Sequence, residues 1–200
     1  AVHILTDGEI HWDVRKGVKM ALALLPGTQE EKDTAADKVE DFFRQRIKAI
    51  LLDEGVDYDI VDAVLAGAID DVYAIFLKAH SMMDSHVKGE LEMRQAVTRL
   101  VNITKGKSAV EIRPELFTEE AEKNLYAALE KAGEEVTNVY NAYDYGSALP
   151  ALKTLTVPIN QFLDSVMVMV EEEVVRNNRI SLLINVLDVY SRWGDFSKLV

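Results

Sequence analysis

The chain has 200 residues, of which 48% are hydrophobic, so it is long enough to bury one large core or two smaller ones. Its formal net charge of -12 argues against indiscriminate binding to nucleic acid, which requires a broadly basic surface. The absence of cysteine excludes disulfide scaffolds and thiolate metal sites.

The composition favours helices, because only four prolines and ten glycines accompany abundant alanine, leucine, glutamate and valine. We therefore expect an all-α protein. No apolar run approaches the roughly 20 residues that a transmembrane helix needs. The first residues lack the basic region and apolar stretch of a signal peptide. We expect a cytoplasmic protein and, because the sequence does not begin with methionine, a chain that is part of a longer protein.

The first half of the chain predicts a series of helices. Apolar residues recur at three- and four-residue spacing over residues 10–25, which predicts the first helix. Thr28 and Glu31 have the spacing of a capping box, which predicts the start of a long second helix. Two shorter helices are predicted over residues 58–66 and 69–84.

The second half predicts further helices separated by a polar loop. A helix is predicted over residues 89–103, and a polar loop over residues 104–113 follows it. Thr118 is the predicted N-cap of the next helix, which Gly133 is expected to divide into two pieces. A short helix is predicted over residues 146–155.

The most informative stretch is residues 158–183. Residues 158–170 have helical apolar spacing, and the run 166–170 is apolar throughout, which predicts a helical segment deep in a bundle. Arg176 and Arg179 lie three apart and so share one face of a helix. Such a face is suited to gripping a planar or anionic group. An arginine pair also forms ion pairs with nearby carboxylates, here those of residues 171–173, and this interpretation stays open.

Short motifs follow one another in order along the chain. They are R-L-V-N-I at 99–103, F-L-D at 162–164, V-M-V-M at 166–169, R-N-N-R-I-S-L-L at 176–183 and D-F-S at 195–197. This ordered set resembles the C-terminal region of the bacterial glycyl-tRNA synthetase beta subunit. Leu163 and Ile180 are mild departures from the family pattern.

The resemblance implies an all-helical anticodon-binding domain over residues 88–200, preceded by a helical connector over residues 1–87. It implies that the ligand is glycine tRNA and that this chain contributes binding without performing chemistry. In this family the alpha subunit carries the aminoacylation site, which uses ATP, glycine and magnesium, and the assembly is an alpha2-beta2 tetramer. No cofactor is therefore expected in this chain itself.

An RNA-binding surface on an acidic chain must be local, and one stretch fits this requirement. Between residues 88 and 113, six basic residues stand against three glutamates, a local charge of +3. Guanidinium groups clamp phosphates or stack on unpaired bases, and asparagines offer donors and acceptors to base edges. The basic stretch and the shared motifs together predict the tRNA-binding residues Arg99, Asn102, Lys105, Lys107, Arg176, Asn178 and Arg179.

Other groups of residues give only weak evidence for a catalytic or ligand-binding site. Gly106-Lys107-Ser108 imitates the end of a phosphate-binding loop, but Val101 stands where that motif requires glycine. His80 and His86 are six residues apart and fall on different helix faces, which disfavours a metal site. No plausible nucleophile–base pair is present. We expect no catalytic and no metal-ligating residue in this chain.

Two alternatives remain open at this point. The helical domain of arginyl-tRNA synthetase also closes on an R-x-x-R-L pattern, although V-M-V-M followed by D-F-S favours the glycyl family. The other alternative is a helical scaffold that binds another protein and has no RNA role. It predicts no tRNA binding at any salt concentration and a partner groove lined by exposed aliphatic residues.

Overall fold

The computed structural model describes residues 1–199. Ten α-helices, joined by loops and four short 3-10 turns, make up this part of the chain, and its only extended pairing is an isolated bridge between Asp13 and Asp71. The prediction of an all-α protein is confirmed. The chain divides into two compact units between Asp84 and Ser85. The connector and anticodon-binding domain, with their boundary at residue 87, remain a prediction.

The first unit contains five helices. They are α1 (Val2–Asp7), α2 (Val14–Ala23), α3 (Gln29–Asp53), α4 (Tyr58–Val64) and α5 (Val72–Asp84). The predicted capping box is present, because Thr28 N donates to Glu31 Oε2 at 2.8 Å and Glu31 N donates to Thr28 Oγ1 at 3.3 Å. The helix predicted from residue 10 begins only at Val14, since the Asp13 side chain accepts from Lys16 N and caps the helix there.

The second unit contains the other five helices. They are α6 (Leu91–Thr104), α7 (Glu120–Asn141), α8 (Ala148–Lys153), α9 (Thr156–Ser165) and α10 (Glu173–Ser191). Helix α7 packs against α8, α9 and α10, and α6 packs against α9 and α10. Their shared core includes the fully buried side chains of Leu100, Leu125, Leu152, Phe162 and Trp193.

Helix α7 differs from its prediction in two ways. It is continuous through Gly133, since the buried stripe of Leu125, Leu129 and Val136 packs on three neighbouring helices. This packing outweighs the cost of about 1 kcal/mol for a glycine in a helix. The N-cap is Glu119 rather than Thr118, so the predicted start was wrong by one residue.

The apolar run over residues 166–170 is not helical. Helix α9 ends at Ser165, and Val166 has the extended dihedrals φ -109 and ψ 123. Val166 and Val168 are buried, whereas Met167 and Met169 are exposed. The chain bends at Val168 and Met169 and forms no helix over this run, so the prediction of a helical segment deep in a bundle was wrong here. No helix within residues 1–199 has the length and apolar character needed to cross a bilayer.

Candidate nucleic-acid interface

The loop that follows α6 presents cations at the surface of the second unit. Lys105 and Arg113 are exposed and Lys107 is half-buried. Gly106 has φ +71, a left-handed conformation that glycine adopts at little cost and that turns the chain between the two lysines. None of these three cations forms an ion pair with a described carboxylate. Their charge therefore remains available to an external anion.

Helix α10 holds the main chain of this loop. Asn178 Oδ1 accepts from Arg113 N at 2.7 Å, and Asn178 Nδ2 donates to Arg113 O at 3.0 Å. Ser181 Oγ accepts from Val110 N at 2.8 Å. Buried polar side chains that satisfy backbone groups fix a loop relative to its helix. The cationic loop is therefore a positioned element.

Lys107 and Arg176 line one groove of about 300 Å³. Its other lining residues are Ser108, Met169, Asn177 and Ile180. No carboxylate is among them, so an anion entering the groove meets two cations and no opposing charge. The structure thus brings together a predicted residue of the loop and a predicted residue of α10, and we call this site the cationic groove.

Arg176 does not form ion pairs with the glutamates that precede it. Its Nη1 donates to the backbone oxygens of Val170 at 2.9 Å and Glu171 at 3.2 Å. No salt bridge within residues 1–199 joins Arg176 to the carboxylates of residues 171–173. The interpretation as a carboxylate-bridging arginine is therefore wrong for Arg176, which instead lines the cationic groove.

Arg179 is buried and engages a carboxylate on α7. Its Nε donates to Glu122 Oε1 at 2.8 Å, and its Nη2 donates to Glu122 Oε2 at 3.3 Å. Nη1 donates to Met167 O at 3.0 Å, and Nη2 also donates to Thr118 Oγ1 at 3.2 Å. Through these bonds Arg179 joins α10 to α7 and to the segment at 166–170 that follows α9. Arg179 is therefore a structural residue.

Glu122 is 0% exposed and is held as a carboxylate by many donors. The backbone N–H groups of Thr118 and Glu119 each donate to its Oε2 at 2.9 Å. Burial alone would raise the pKa of Glu122, but the hydrogen bond from Arg179, the backbone donors and the guanidinium charge together lower it below the ordinary value of 4.5. The carboxylate is therefore ionised at neutral pH.

Glu122→Gln is expected to lower the free energy of unfolding by about 2 kcal/mol at pH 7, because an amide replaces the charged acceptor. The folded-state pKa of Glu122 is depressed, so its stabilisation is present above about 4.5 and is lost as pH falls through the folded-state value. The deficit of the variant should therefore shrink in acid. Denaturant titrations from pH 7 to pH 3 measure this, with exposed Glu120→Gln as the control. A deficit that stays constant across that range would contradict the ionic origin.

Arg99 and Asn102 are exposed on α6, three residues apart. Arg99 Nη2 donates to Asp164 Oδ1 at 2.8 Å and its Nη1 donates to Asn160 Oδ1 at 3.2 Å, both on α9. This exposed pair contributes little stability and is easily exchanged for a phosphate. Arg94 of the basic stretch is half-buried, and its Nη groups donate to the backbone oxygens of Lys88 and Leu199.

Asn178 and Arg179 require a correction as surface residues. Asn178 is 2% exposed and Arg179 is also buried, with their polar groups bonded inside the protein. Asn178 positions the loop and Arg179 positions the segment at 166–170, and neither lines the surface. Sequence reasoning missed Glu122, although a glutamate three residues after a helix N-cap was a usable signal.

A wide groove on another face of the second unit is unsuited to RNA. It has a volume of about 780 Å³ between α7, α10 and residues 110–112. Four carboxylates line it against a single cation, Arg192; they belong to Glu111, Glu130, Glu134 and Asp188. A polyanion is repelled from this face. Within residues 1–199, no cluster of three or more His, Asp or Glu side chains is placed to hold a metal ion.

The chain is similar to known proteins, and the similar region includes this site. Residues 93–192 match the DALR anticodon binding domain. The chain is similar to glycine–tRNA ligase beta subunits: 32% identical over 99% of its length to that of Desulforamulus reducens, 35% over 98% to that of Desulforudis audaxviator, and 33% over 100% to that of Halalkalibacterium halodurans. It spans 29% of the length of each of these relatives.

These matches confirm the resemblance read from the motifs. The matched region begins inside α6 and ends just after α10, so it contains the cationic loop, the cationic groove and the buried pair of Arg179 with Glu122. It covers half of the chain. The chain therefore belongs to the DALR anticodon-binding-domain family.

Proposed function

We propose that this chain binds the anticodon region of glycine tRNA as part of a glycine–tRNA ligase beta subunit. The observation that carries this proposal is the match of residues 93–192 to the DALR anticodon binding domain. The names of the relatives support the glycyl over the arginyl member of the alternatives. In this role the chain supplies binding and discrimination during ATP-dependent glycylation.

The charge distribution supports an RNA-binding role. An acidic chain binds RNA only through a local cationic surface, and the unpaired cations Lys105, Lys107 and Arg113 lie on one loop that α10 holds in place. Arg176 adds a fourth cation through the cationic groove. Arg99 and Asn102 extend this surface along α6 in the proposal, whereas Asn178 and Arg179 act beneath it.

The wider assembly is also part of the proposal. A glycine–tRNA ligase beta subunit works with an alpha subunit in an alpha2-beta2 tetramer in this family, and ATP and magnesium belong to the alpha subunit. We therefore propose an alpha subunit as partner, no cofactor in this chain, and a cytoplasmic location. The names of the relatives, which specify a beta subunit, support a partner subunit.

A protein-binding scaffold is the second candidate, and one observation favours it. The first unit exposes large aliphatic side chains near the end of α2, namely Met20, Leu24 and Leu25. Exposed apolar patches of this kind mark contact surfaces for proteins. The scaffold function requires that these side chains, and not the cations of the second unit, account for binding.

A tRNA titration separates the two candidates. Glycine tRNA is expected to bind at low salt, and the same tRNA with its anticodon cytosines replaced is expected to bind about tenfold more weakly, because an unsatisfied base-edge partner costs roughly 1–3 kcal/mol. Fluorescence anisotropy on the full chain measures both affinities. Equal affinities would contradict recognition of the anticodon bases and would indicate that the chain binds tRNA through its phosphates alone. No binding at any salt concentration would favour the scaffold.

A further inference from the structure

Two exposed methionine side chains lie on the segment after α9: Met169, which lines the cationic groove, and Met167, two residues before it. Met167 is 73% exposed and Met169 is 53% exposed, whereas their neighbours Val166 and Val168 are buried. Methionine is flexible and polarizable, and it is used at surfaces that accommodate flat or irregular apolar partners. Two such side chains, two residues apart on a non-helical segment, provide apolar surface that the fold itself leaves uncovered.

The main chain beneath these methionines is held on both sides. Arg179 Nη1 donates to Met167 O at 3.0 Å, and Arg176 Nη1 donates to Val170 O at 2.9 Å. At the other end, Val166 N donates to Phe162 O at 2.8 Å. These bonds and the buried valines hold the segment in place before any ligand arrives. A preformed surface loses less conformational entropy on binding.

The chemistry of the groove selects the occupant. Met169 lines it together with Lys107 and Arg176, and no carboxylate lines it. A fitting ligand has an apolar face for the thioether chain and a negative charge for the two cations. An unpaired nucleotide has both, because its base presents a flat face and its phosphate is anionic. A paired stem hides its base faces in the stack and offers only phosphates and groove edges.

We propose that Met169, with Met167 beside it, forms a platform on which an unpaired RNA base stacks while Lys107 and Arg176 hold the adjacent phosphate. The inference rests on the proposed function and narrows its ligand to looped-out nucleotides in preference to a paired stem. The platform contributes apolar contact and no charge. Its removal therefore weakens binding without changing the number of phosphates that are neutralised.

The test compares two RNA probes on variants of the full chain. One probe is a hairpin with the anticodon arm of glycine tRNA, and the other is a fully paired duplex with the same number of phosphates. Met167→Ala with Met169→Ala is expected to weaken hairpin binding by about tenfold, the scale of two lost contacts between methionine sulfur and a base. Duplex binding is expected to change by less than about twofold, since no base face reaches the platform.

Two control variants separate the platform from other effects. Met20→Ala removes a methionine that is 64% exposed in the first unit, and it is expected to change neither affinity. Lys107→Ala is expected to weaken both probes and to lower the salt dependence of binding by about one phosphate contact. The double methionine variant should keep the salt dependence of the unaltered chain. The thermal unfolding midpoint of each variant is measured, and affinities are compared only among variants whose midpoints match that of the unaltered chain.

The outcomes separate the inference from the function on which it rests. Selective loss of hairpin affinity with an unchanged salt dependence supports the platform. Unchanged hairpin affinity in the double methionine variant, alongside a loss in Lys107→Ala, overturns the platform and leaves the RNA-binding function standing. Equal losses for hairpin and duplex overturn the preference for unpaired bases. If the unaltered chain binds neither probe at low salt, the proposed function fails and the platform with it.

Discussion

Arg179→Ala is expected to lower the free energy of unfolding of the second unit by about 3–5 kcal/mol, because it leaves a buried carboxylate without its partner. Glu122 is fully buried, and Arg179 supplies two of its hydrogen bonds at 2.8 and 3.3 Å. The same substitution removes donors to Met167 O and Thr118 Oγ1. The segment at 166–170 thereby loses one of its two attachments to α10, and the bond from Arg176 Nη1 to Val170 O remains.

The measurement uses the two tryptophans of the chain. Trp193 is fully buried in the second unit and Trp12 lies in the first, so a Trp12→Phe background makes the fluorescence report on the second unit alone. Denaturant titration then gives the free energy of unfolding for that unit. Arg176→Ala is the matched control, because Arg176 bonds only to backbone oxygens and is expected to cost about 1 kcal/mol.

A double substitution tests the explanation. Glu122→Leu combined with Arg179→Met replaces the buried pair by apolar groups and is expected to be more stable than Arg179→Ala alone. If Arg179→Ala and Arg176→Ala lose similar small amounts, the buried pair is not the reason for the stability. This result also governs functional tests. A loss of tRNA affinity in Arg179→Ala reports on folding, so Arg176 and Lys107 are the informative positions for RNA contact.

The helices were predictable because their signals are local. The capping box of Thr28 and Glu31 specifies the start of α3 with residues three apart, and the structure forms both of its hydrogen bonds. The stripe of Leu125, Leu129 and Val136 in α7 is buried as its spacing predicts. Apolar spacing and caps act within a few residues, so they are visible without knowledge of the fold.

The non-helical conformation of residues 166–170 was not predictable from the apolar character of this run. A short apolar run is consistent with a buried helix or with an extended chain. Here the conformation depends on Arg176 and Arg179, which bind backbone oxygens of the segment from the following helix. These contacts connect residues up to 12 apart in sequence and depend on the angle at which α10 packs against α6 and α7. Local propensity contains no information about that angle.

The candidate site also contains some residues whose role was predictable from the sequence and others whose role was not. Lys105 and Lys107 lie in a polar loop that the sequence predicts, and the structure keeps them available at the surface. Asn178 and Arg179 have the composition of a surface pair, but their partners Arg113 and Glu122 lie 65 and 57 residues away in sequence. Only the packing of α10 against α7 and the loop converts these polar residues into buried ones. Their role therefore requires the three-dimensional structure.

Asn178→Asp is expected to lower the free energy of unfolding by roughly 3–4 kcal/mol at neutral pH, the cost of a buried charge whose partner is an acceptor. Asn178 Nδ2 donates to Arg113 O at 3.0 Å, and a carboxylate oxygen in its place repels that carbonyl. The Oδ1 side of the contact, which accepts from Arg113 N at 2.7 Å, survives the change. The loss is therefore confined to one hydrogen bond and one charge.

The pH dependence of this variant follows from the same contact. A protonated carboxyl group donates to Arg113 O as the amide does, so folding favours the neutral form and raises the pKa of the new aspartate above its unfolded value of about 3.9. A raised folded-state pKa makes stability complete below the unfolded value and lost as pH rises through the folded one. The deficit should therefore vanish in acid and be full at pH 7. Ionisation of the new aspartate thus destabilises the fold as pH rises, whereas ionisation of Glu122 stabilises it.

Asn177→Asp provides the stability control, because Asn177 is only half-buried and its substitution is expected to cost less than about 1 kcal/mol at every pH. For tRNA binding, Asn178→Ala and Ser181→Ala release the loop without adding charge. Both are expected to weaken glycine tRNA binding while the loop cations stay in place, and hydrogen exchange at residues 105–113 should rise in parallel. Tight tRNA binding by a variant whose loop exchanges freely would show that the cations bind without being positioned, and α10 would then serve the fold alone.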